Sequence, residues 1–550
     1  MKNSRKRSKR VLASALTALF IAQQSMLLSV VASDITGVTN GGHGTFNINP
    51  EHASGNVGFR GYENFNLDQG DIANLIYHLN GVDLTTFINL VDNTININGL
   101  LNTVNKNGDF TNGKAIFVSP NGMIVGASGV LNVGSLGVYT PNSGYYNSAK
   151  RRLEAKTITA DEVPTLIKSN GGGEITIDGK ILSAGGVDLK GGQITVGQNA
   201  GVIGGINPEQ MLALTSEKQA NDLFNKLVNT DNINSGNKFI SNEQGQINIT
   251  SSKGTDIQGS VINYATGDDS KIYINNTGDN GIKIAGDVVN TKGKLDIHNN
   301  KGNLVISGNV KNDGTTRIWN SPYKVYSEVE LDNGLTITGN VDTKGTLDIR
   351  NSGERGIDIS GSIRHDGDAF ITNGATPEIV TFGNTMGGLN VSGNIENTGN
   401  IVFLNTVDGV DGMNITGVVN AGETATFTNH GQAGLNVLEE GKIAATNVVM
   451  ENTGEMGVNI DSKARINSTN DTTIINDSVG GVNVKGLVNA QNNVKVLSDN
   501  GNVVIGDDTE NNNYITAGNN IDITVNKGSI LNYGVIKTLL NAGGDLTMTV

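Results

Sequence analysis

From residue 281 onward the chain repeats one short alternation of apolar and polar positions. GIKIAGDV at 281, NLVISGNV at 303, GLTITGNV at 334, GIDISGSI at 356, GLNVSGNI at 388, GMNITGVV at 412, GLNVLEEG at 434, GVNIDSKA at 457 and GVNVKGLV at 481 follow the pattern G-[IL]-x-[IV]-x-G-x-[IV] in steps of 22 to 24 residues. Two longer steps fall where SPYKVYSEVELD (321–332) and ATPEIVTFGNTM (375–386) are inserted. A period of two over three to six residues marks a half-buried strand. A second run closes with Asn 12 residues after the pattern's second Gly: Asn320, Asn351, Asn373, Asn405 and Asn429.

A strand this short cannot bury its apolar face alone. Stacking one coil on the next at about 4.8 Å satisfies the backbone between coils and builds a continuous core. Recurrent Gly and Asn then occupy the corners, where equivalent Asn amides can form a ladder along the stack. The expected fold is all-β: a right-handed parallel β-helix of three short strands per coil, with a short inserted helix. Residues 281–550 are its regular repeats. Residues 171–280 read as looser coils, interrupted by a helix over 208–228: Asn207 serves as N-cap, Pro208 opens the helix, and Met211, Leu212, Leu214, Leu223, Phe224 and Leu227 form its apolar side. Residues 142–170 read as an irregular insertion with a partial helix at 147–155. The chain ends in GGDLTMTV, in mid-strand and without a cap, so the repeats are expected to continue beyond it.

Composition agrees with this reading. There are 74 Gly but only 7 Pro in 550 residues, with 5% aromatic and 17% charged residues, which suits short strands and tight turns. No Cys is present, so no disulfide supports an exported fold. Lys2, Arg5, Lys6, Arg7, Lys9 and Arg10 precede the apolar stretch 11–33, which ends in Val31, Ala32 and Ser33. That order is a signal peptide over 1–33, cleaved near Asp34. No later stretch holds the roughly 18 to 20 apolar residues of a membrane span. The formal charge is −14 with those six basic residues counted, so the exported chain is more acidic still, which disfavours nucleic acid as a partner.

One apolar stretch stands apart. IFVSPNGMIVGASGVLNVGSL (116–136) follows INLVDNTININGLL (88–101) and FRGYENFNLDQGDIANL (59–75). Over residues 34–141 the chain resembles the secretion domain of two-partner secretion exoproteins, the TpsA-type, filamentous haemagglutinin-like family. Its Asn-Arg-Val-like run and I-x-G-x-L segment are matched by Asn89, Leu90, Val91 and by Ile97, Asn98, Gly99, Leu101. Its N-P-N-G-I and V-N-V-G-G-L runs are matched by Ser119, Pro120, Asn121, Gly122, Met123, then Gly126, Asn132, Val133, Gly134 and Leu136. Ser119 stands where the family has Asn, and Met123 where it has Ile. The resemblance implies a filamentous adhesin, also described as leukotoxin-like, whose N-terminal domain is recognised in the periplasm by an outer-membrane Omp85-type (TpsB) transporter. The chain then folds progressively outside, and a surface receptor or glycan is left unspecified.

No pattern of catalytic residues emerges. His43, His52, His78, His298, His365 and His430 never pair at metal-ligand spacing. Asp268 and Asp269, and Asp507, Asp508 and Glu510, are read as turn residues rather than a Ca²⁺ site, and the GGG run 171–173 precedes a strand, unlike a phosphate loop. Trp319, Tyr323 and Tyr326 are read as packing or loop residues rather than a sugar platform. The exposed register Lys283, Val305, Thr336, Asp358, Asn390, Asn414, Asn436, Asn459, Asn483 is an Asn row with one carboxylate. The expectation is a non-enzyme without cofactor or metal. The alternatives are a β-helical polysaccharide-degrading enzyme, which needs clustered carboxylates, and a fragment of an autotransporter passenger.

Overall fold

The computed structural model describes residues 33–168, 170–229, 240–321, 334–374, 387–406, 409–506, 513–538 and 544–550. The expected signal peptide up to residue 32, residues 322–332 with Tyr323 and Tyr326, the insert 375–386 and the acidic group at 507–510 lie outside these residues. The chain is a parallel β-solenoid of about 18 turns, 54% strand, with three short α-helices among the described residues.

The repeats are in the register that their sequence pattern demands. Ile282, Leu304, Leu335, Ile357, Leu389, Met413, Leu435, Val458 and Val482 pair in one parallel row, and the positions two residues on form the next. Each coil has a three-residue strand such as Leu304–Ile306, a corner, and a longer stretch that bends through the two remaining sides. In four coils that stretch is one continuous strand, for example Asn340–Asn351, and later it splits, as in Asn394–Asn397 and Ile401–Asn405. Inward positions form one uninterrupted core of Ile, Val and Leu, joined by the stacked rings of Phe403 and Phe427, 4.9 Å apart. The corner glycines are obligatory: a Cβ on Gly339, Gly361, Gly393 or Gly417 would overlap the carbonyl oxygen of the equivalent Gly one coil back.

Antiparallel pairing among named strands is confined, among the described residues, to the first 83 positions. There Asp34–Ile35 pairs with Phe65–Leu67, His52–Ser54 folds back on Val57–Tyr62, and His78–Leu79 pairs with Val82–Asp83. These pieces begin the stack, in which Thr45–Ile48 already pairs in parallel with Ile72–Ile76.

The expected Asn row is buried and longer than the offset pattern indicated. Nδ2 of each Asn donates to Oδ1 of the next in the order 276, 299, 320, 351, 373, 405, 429, 452, 476, at 2.8 to 3.0 Å. Asn351 shows the full valence. It accepts from Asn320 at 2.8 Å and from the Gly353 amide at 3.2 Å, and donates to Asn373 and to the Gly353 carbonyl, both at 3.0 Å. The outer register also holds a ladder, linking Asn483, Asn459, Asn436, Asn414 and Asn390 at 2.9 to 3.0 Å.

Both helical expectations are corrected in detail. Residues 208–228 are not one helix: Pro208–Gln210 is a single 3₁₀ turn, Met211–Thr215 is irregular, and the α-helix runs only over Glu217–Leu227, N-capped by Ser216. The helix expected at 147–155 begins earlier, as Ser143–Glu154 capped by Asn142, and Val163–Lys168 adds a second.

Asn373→Ala would leave the Asn351 amide without its acceptor and the Asn405 oxygen without its donor, both buried, at an expected cost of about 2–4 kcal/mol. Asn390→Ala, at the exposed end of the outer ladder, should cost under about 1 kcal/mol; hydrogen exchange of the flanking strands compares the two. His365 is buried, bonded to Thr343 Oγ1 at 2.9 Å and to the Asp368 carbonyl at 3.1 Å, and burial lowers its pKa from the ordinary 6.5 despite opposing hydrogen bonds. The unfolded imidazole thus binds its proton first, and stability falls as pH drops below that ordinary value. His365→Asn is expected to flatten this loss in denaturation measured between about pH 7 and about pH 5.5.

Candidate functional site

The stretch 114–133 is one complete coil near the start of the stack. Lys114–Val118 lies between Thr86–Val91 and Ser135–Tyr139, Gly122–Val125 between Ile95–Ile97 and Glu174–Ile177, and Val130–Val133 between Leu100–Val104 and Lys180–Ser183. Its apolar character follows from burial on both sides of the sheet. Ile116 and Val118 face outward, under the helix Ser143–Glu154, while Ala115 and Phe117 face the solenoid interior.

The Ser-Pro-Asn-Gly turn joins the first two sides. Ser119 is buried; its hydroxyl donates to the Asn93 carbonyl at 2.9 Å and accepts from the Asn121 amide at 3.1 Å. Asn121 is exposed, yet its Nδ2 donates to the Asp92 carbonyl at 2.7 Å, one coil back. Gly122 has φ +92°, and a Cβ there would overlap the Glu174 carbonyl oxygen of the following coil. Pro120, Asn121, Ile124, Thr94, Glu174 and the Gly171–Gly173 run line a shallow cleft of about 430 Å³. Ile124 is 41% exposed at its rim.

The remaining motif residues scatter from this turn. Asn89 and Val91 are fully buried, and Asn89 accepts from the Tyr62 hydroxyl at 2.8 Å and reaches the Ile116 carbonyl at 3.3 Å. Burial raises the Tyr62 pKa, which keeps its proton on that bond. Met123 lies in the core. At the next corner a Cβ on Gly126 would overlap the Asn98 side chain, and one on Gly99 the Asp68 and Asp71 carbonyls. Gly134 leaves room for Asn112. Asn132 bonds Asn102 at 2.9 Å on the outer wall. The constellation is therefore not one surface patch: it holds corners, interior and wall of the first coils.

Sequence reasoning passed over Asp92, which receives the Tyr146 hydroxyl at 2.9 Å and pairs with Lys150, fixing the helix Ser143–Glu154 to the motif strand. It also passed over Ile124 and Glu174. The GGG run was their visible signal, since three glycines before a strand announce a close backbone approach.

Elsewhere, Lys283, Val305, Thr336, Asp358, Asn390, Asn414, Asn436, Asn459 and Asn483 do share one register row. Trp319 packs edge-on to His298 at 5.8 Å, with the Arg350 guanidinium 5.0 Å from its ring. Among the described residues no group of three or more His, Asp or Glu is placed to hold a metal ion. No protein-family model matches the chain, and no curated protein matches it at a significant level.

Ser119→Ala removes a buried acceptor and donor together and is expected to cost about 1–2 kcal/mol. Gly122→Val adds a forbidden φ and a backbone overlap, for about 3 kcal/mol or more. Urea unfolding of the purified chain, followed at the N-terminal coils by hydrogen exchange, checks both.

Proposed function

We propose that this chain is a secreted or surface-exposed filamentous adhesin, exported across the outer membrane by a two-partner system in which an Omp85-type (TpsB) transporter engages the N-terminal module. The observation that carries the reading is the Asn89–Val91, Ile97–Leu101 and Ser119–Leu136 constellation, standing behind a signal-like N-terminus and at the start of a parallel solenoid. The coil pairs with its immediate neighbours almost throughout, so folding can spread from one nucleated end without an energy source. Because Asn89, Val91, Ser119, Met123 and Asn132 are buried once folded, the partner meets their side chains only before the coil closes, and the same holds for the buried backbone of Gly99 and Gly134. Asn121 and Ile124 stay accessible afterwards.

The proposal assigns no catalytic residue and no cofactor to the chain. The solenoid serves as stalk or adhesive fibre, and its outer Asn row is a structural ladder.

The test is export of the full chain with and without the transporter. Surface or medium protein is expected only with the transporter, and equal export without it overturns the two-partner reading. Asn121→Asp or Gly122→Val is expected to lower export at least about tenfold through the turn geometry they break.

A further inference from the structure

Of the two segments that break the rule that each coil touches its neighbours, the second reaches across the greater number of coils. Residues 207–228 leave the stack after Gly201–Gly204 and run back along its outer wall. Leu214 exchanges two hydrogen bonds with the Asn102 side chain, N to Oδ1 at 2.9 Å and Nδ2 to O at 3.0 Å, across 112 residues of sequence. Asn132 Nδ2 holds the Leu212 carbonyl at 2.8 Å. The far end of the helix Glu217–Leu227 is tied by the Tyr264 hydroxyl to the Leu227 carbonyl.

The wall beneath is shaped for this segment. A single outward register row reads Asn47, Asn74, Asn102, Asn132, Leu182, Ile203, Ile262, Val289, then Lys311, Asp342, Arg364, Glu396. It is apolar over the coils beside the segment and becomes charged beyond them. In the neighbouring row Gly201 has no side chain, and the three atoms nearest to a Cβ there would all belong to the Phe224 ring, the first at 2.3 Å. The Lys180 ammonium lies 5.3 Å from the centre of that ring. Part of this seat, Ile262, Tyr264 and Val289, follows the segment in sequence.

We propose that residues 207–228 are a latch: they close only after the chain has stacked through about Val289, and closing binds the coils from Leu100 to Val289 into one cooperative unit. An unlatched stack exposes Leu100, Val130, Leu182 and Ile203 as an apolar strip and leaves Asn102 and Asn132 only their bonds along the row, Asn102 to Asn74 at 3.2 Å and Asn132 to Asn102 at 2.9 Å. A latched one covers that strip and adds three bonds, from Asn102 to Leu214 and back and from Asn132 to Leu212. The latch is a property of the folded chain and does not depend on the route of export.

Gly201→Val in the full chain tests it, since the added methyls claim the place of the Phe224 ring. Trypsin cleavage at Lys218 and Lys226 is expected to quicken at least about tenfold, and amide exchange in Leu100–Val104 and Val130–Val133 to quicken by a similar factor, while Val494–Ser498 is unchanged. Gly201→Val combined with Phe224→Ala, which vacates the same volume, should return both readouts to within about threefold of the parent. If trypsin opens the segment while exchange in those strands stays as it was, the segment is a surface ornament and the proposal fails. It fails equally if neither readout moves, or if Val494–Ser498 quickens as much as the N-terminal strands.

Discussion

The buried Asn ladder is the constraint on which the stack depends. Burying an amide costs free energy unless every donor and acceptor finds a partner. A parallel solenoid solves this by repetition, because an Asn with an identical neighbour one coil on has both a donor and an acceptor waiting at the stacking distance. The remaining N–H and lone pair of Asn351 close a local turn on Gly353, and the same local turn recurs at Asn429 with Gly431 and at Asn452 with Gly454. A rung within the ladder must therefore both donate and accept: Asp has no N–H for the next Oδ1 and would bury an unpaired charge, and Leu would strand the amide on either side. The outer row Lys311, Asp342, Arg364, Glu396 obeys the same rule with charge, since alternation along a stack avoids like-sign neighbours, and Arg364 meets Glu396 at 3.2 Å.

Neighbour-only contacts make most of the chain a one-dimensional array, in which each coil depends on the two beside it. The N-terminal half departs from this. His52 bonds the Ile158 carbonyl across 106 residues, and Asn102 bonds Leu214 across 112. Two inserted segments thus lie on different outer walls of the same early coils, each over outward apolar side chains: Phe59, Ile88, Leu90, Ile116 and Val118 under one, and Leu100, Val130, Leu182 and Ile203 under the other. Beyond Val289 the second wall turns charged at the matching outward positions, Lys311, Asp342, Arg364 and Glu396, while the first mixes polar residues with Phe370, Val402 and Val449.

The solenoid was legible because its information is local and repeated. The I-x-I runs name the inward positions, and the 12-residue offset to Asn names a corner. That offset found five rungs and missed Asn276, Asn299, Asn452 and Asn476, whose coils place Gly differently; the dipeptide logic of Asn-x-Gly, as in Asn452-Thr453-Gly454, would have found more. The helix at 208–228 was overextended for a different reason. Met211 and Leu214 have helical spacing and are buried, but the Leu212 and Leu214 backbone is claimed by Asn132 and Asn102, residues far away in sequence that no local pattern reveals. The S-x-x-Q of Ser216 to Gln219 did mark the true start, with the Gln219 amide bonded to Ser216 Oγ and its side chain returning to the Thr215 amide at 2.9 Å.

The Ser-Pro-Asn-Gly turn shows why a sequence motif and a binding surface need not coincide. Asn at the first position of such a turn offers a side-chain acceptor to the amide two residues on. Ser119 supplies that acceptor with its hydroxyl and adds a donor to the preceding coil, so the departure from Asn keeps the physical task and changes only the atom that performs it. Gly122 is fixed by the coil that follows, and Asn121 reaches the coil that precedes. Three of the turn's four residues thus read the backbone on both sides of their own coil. A segment built this way has its sequence restricted by stacking whether or not a partner touches it, and of its side chains stacking leaves Asn121 and Ile124 exposed at the cleft, Asn121 with its amide nitrogen already bound to the preceding coil.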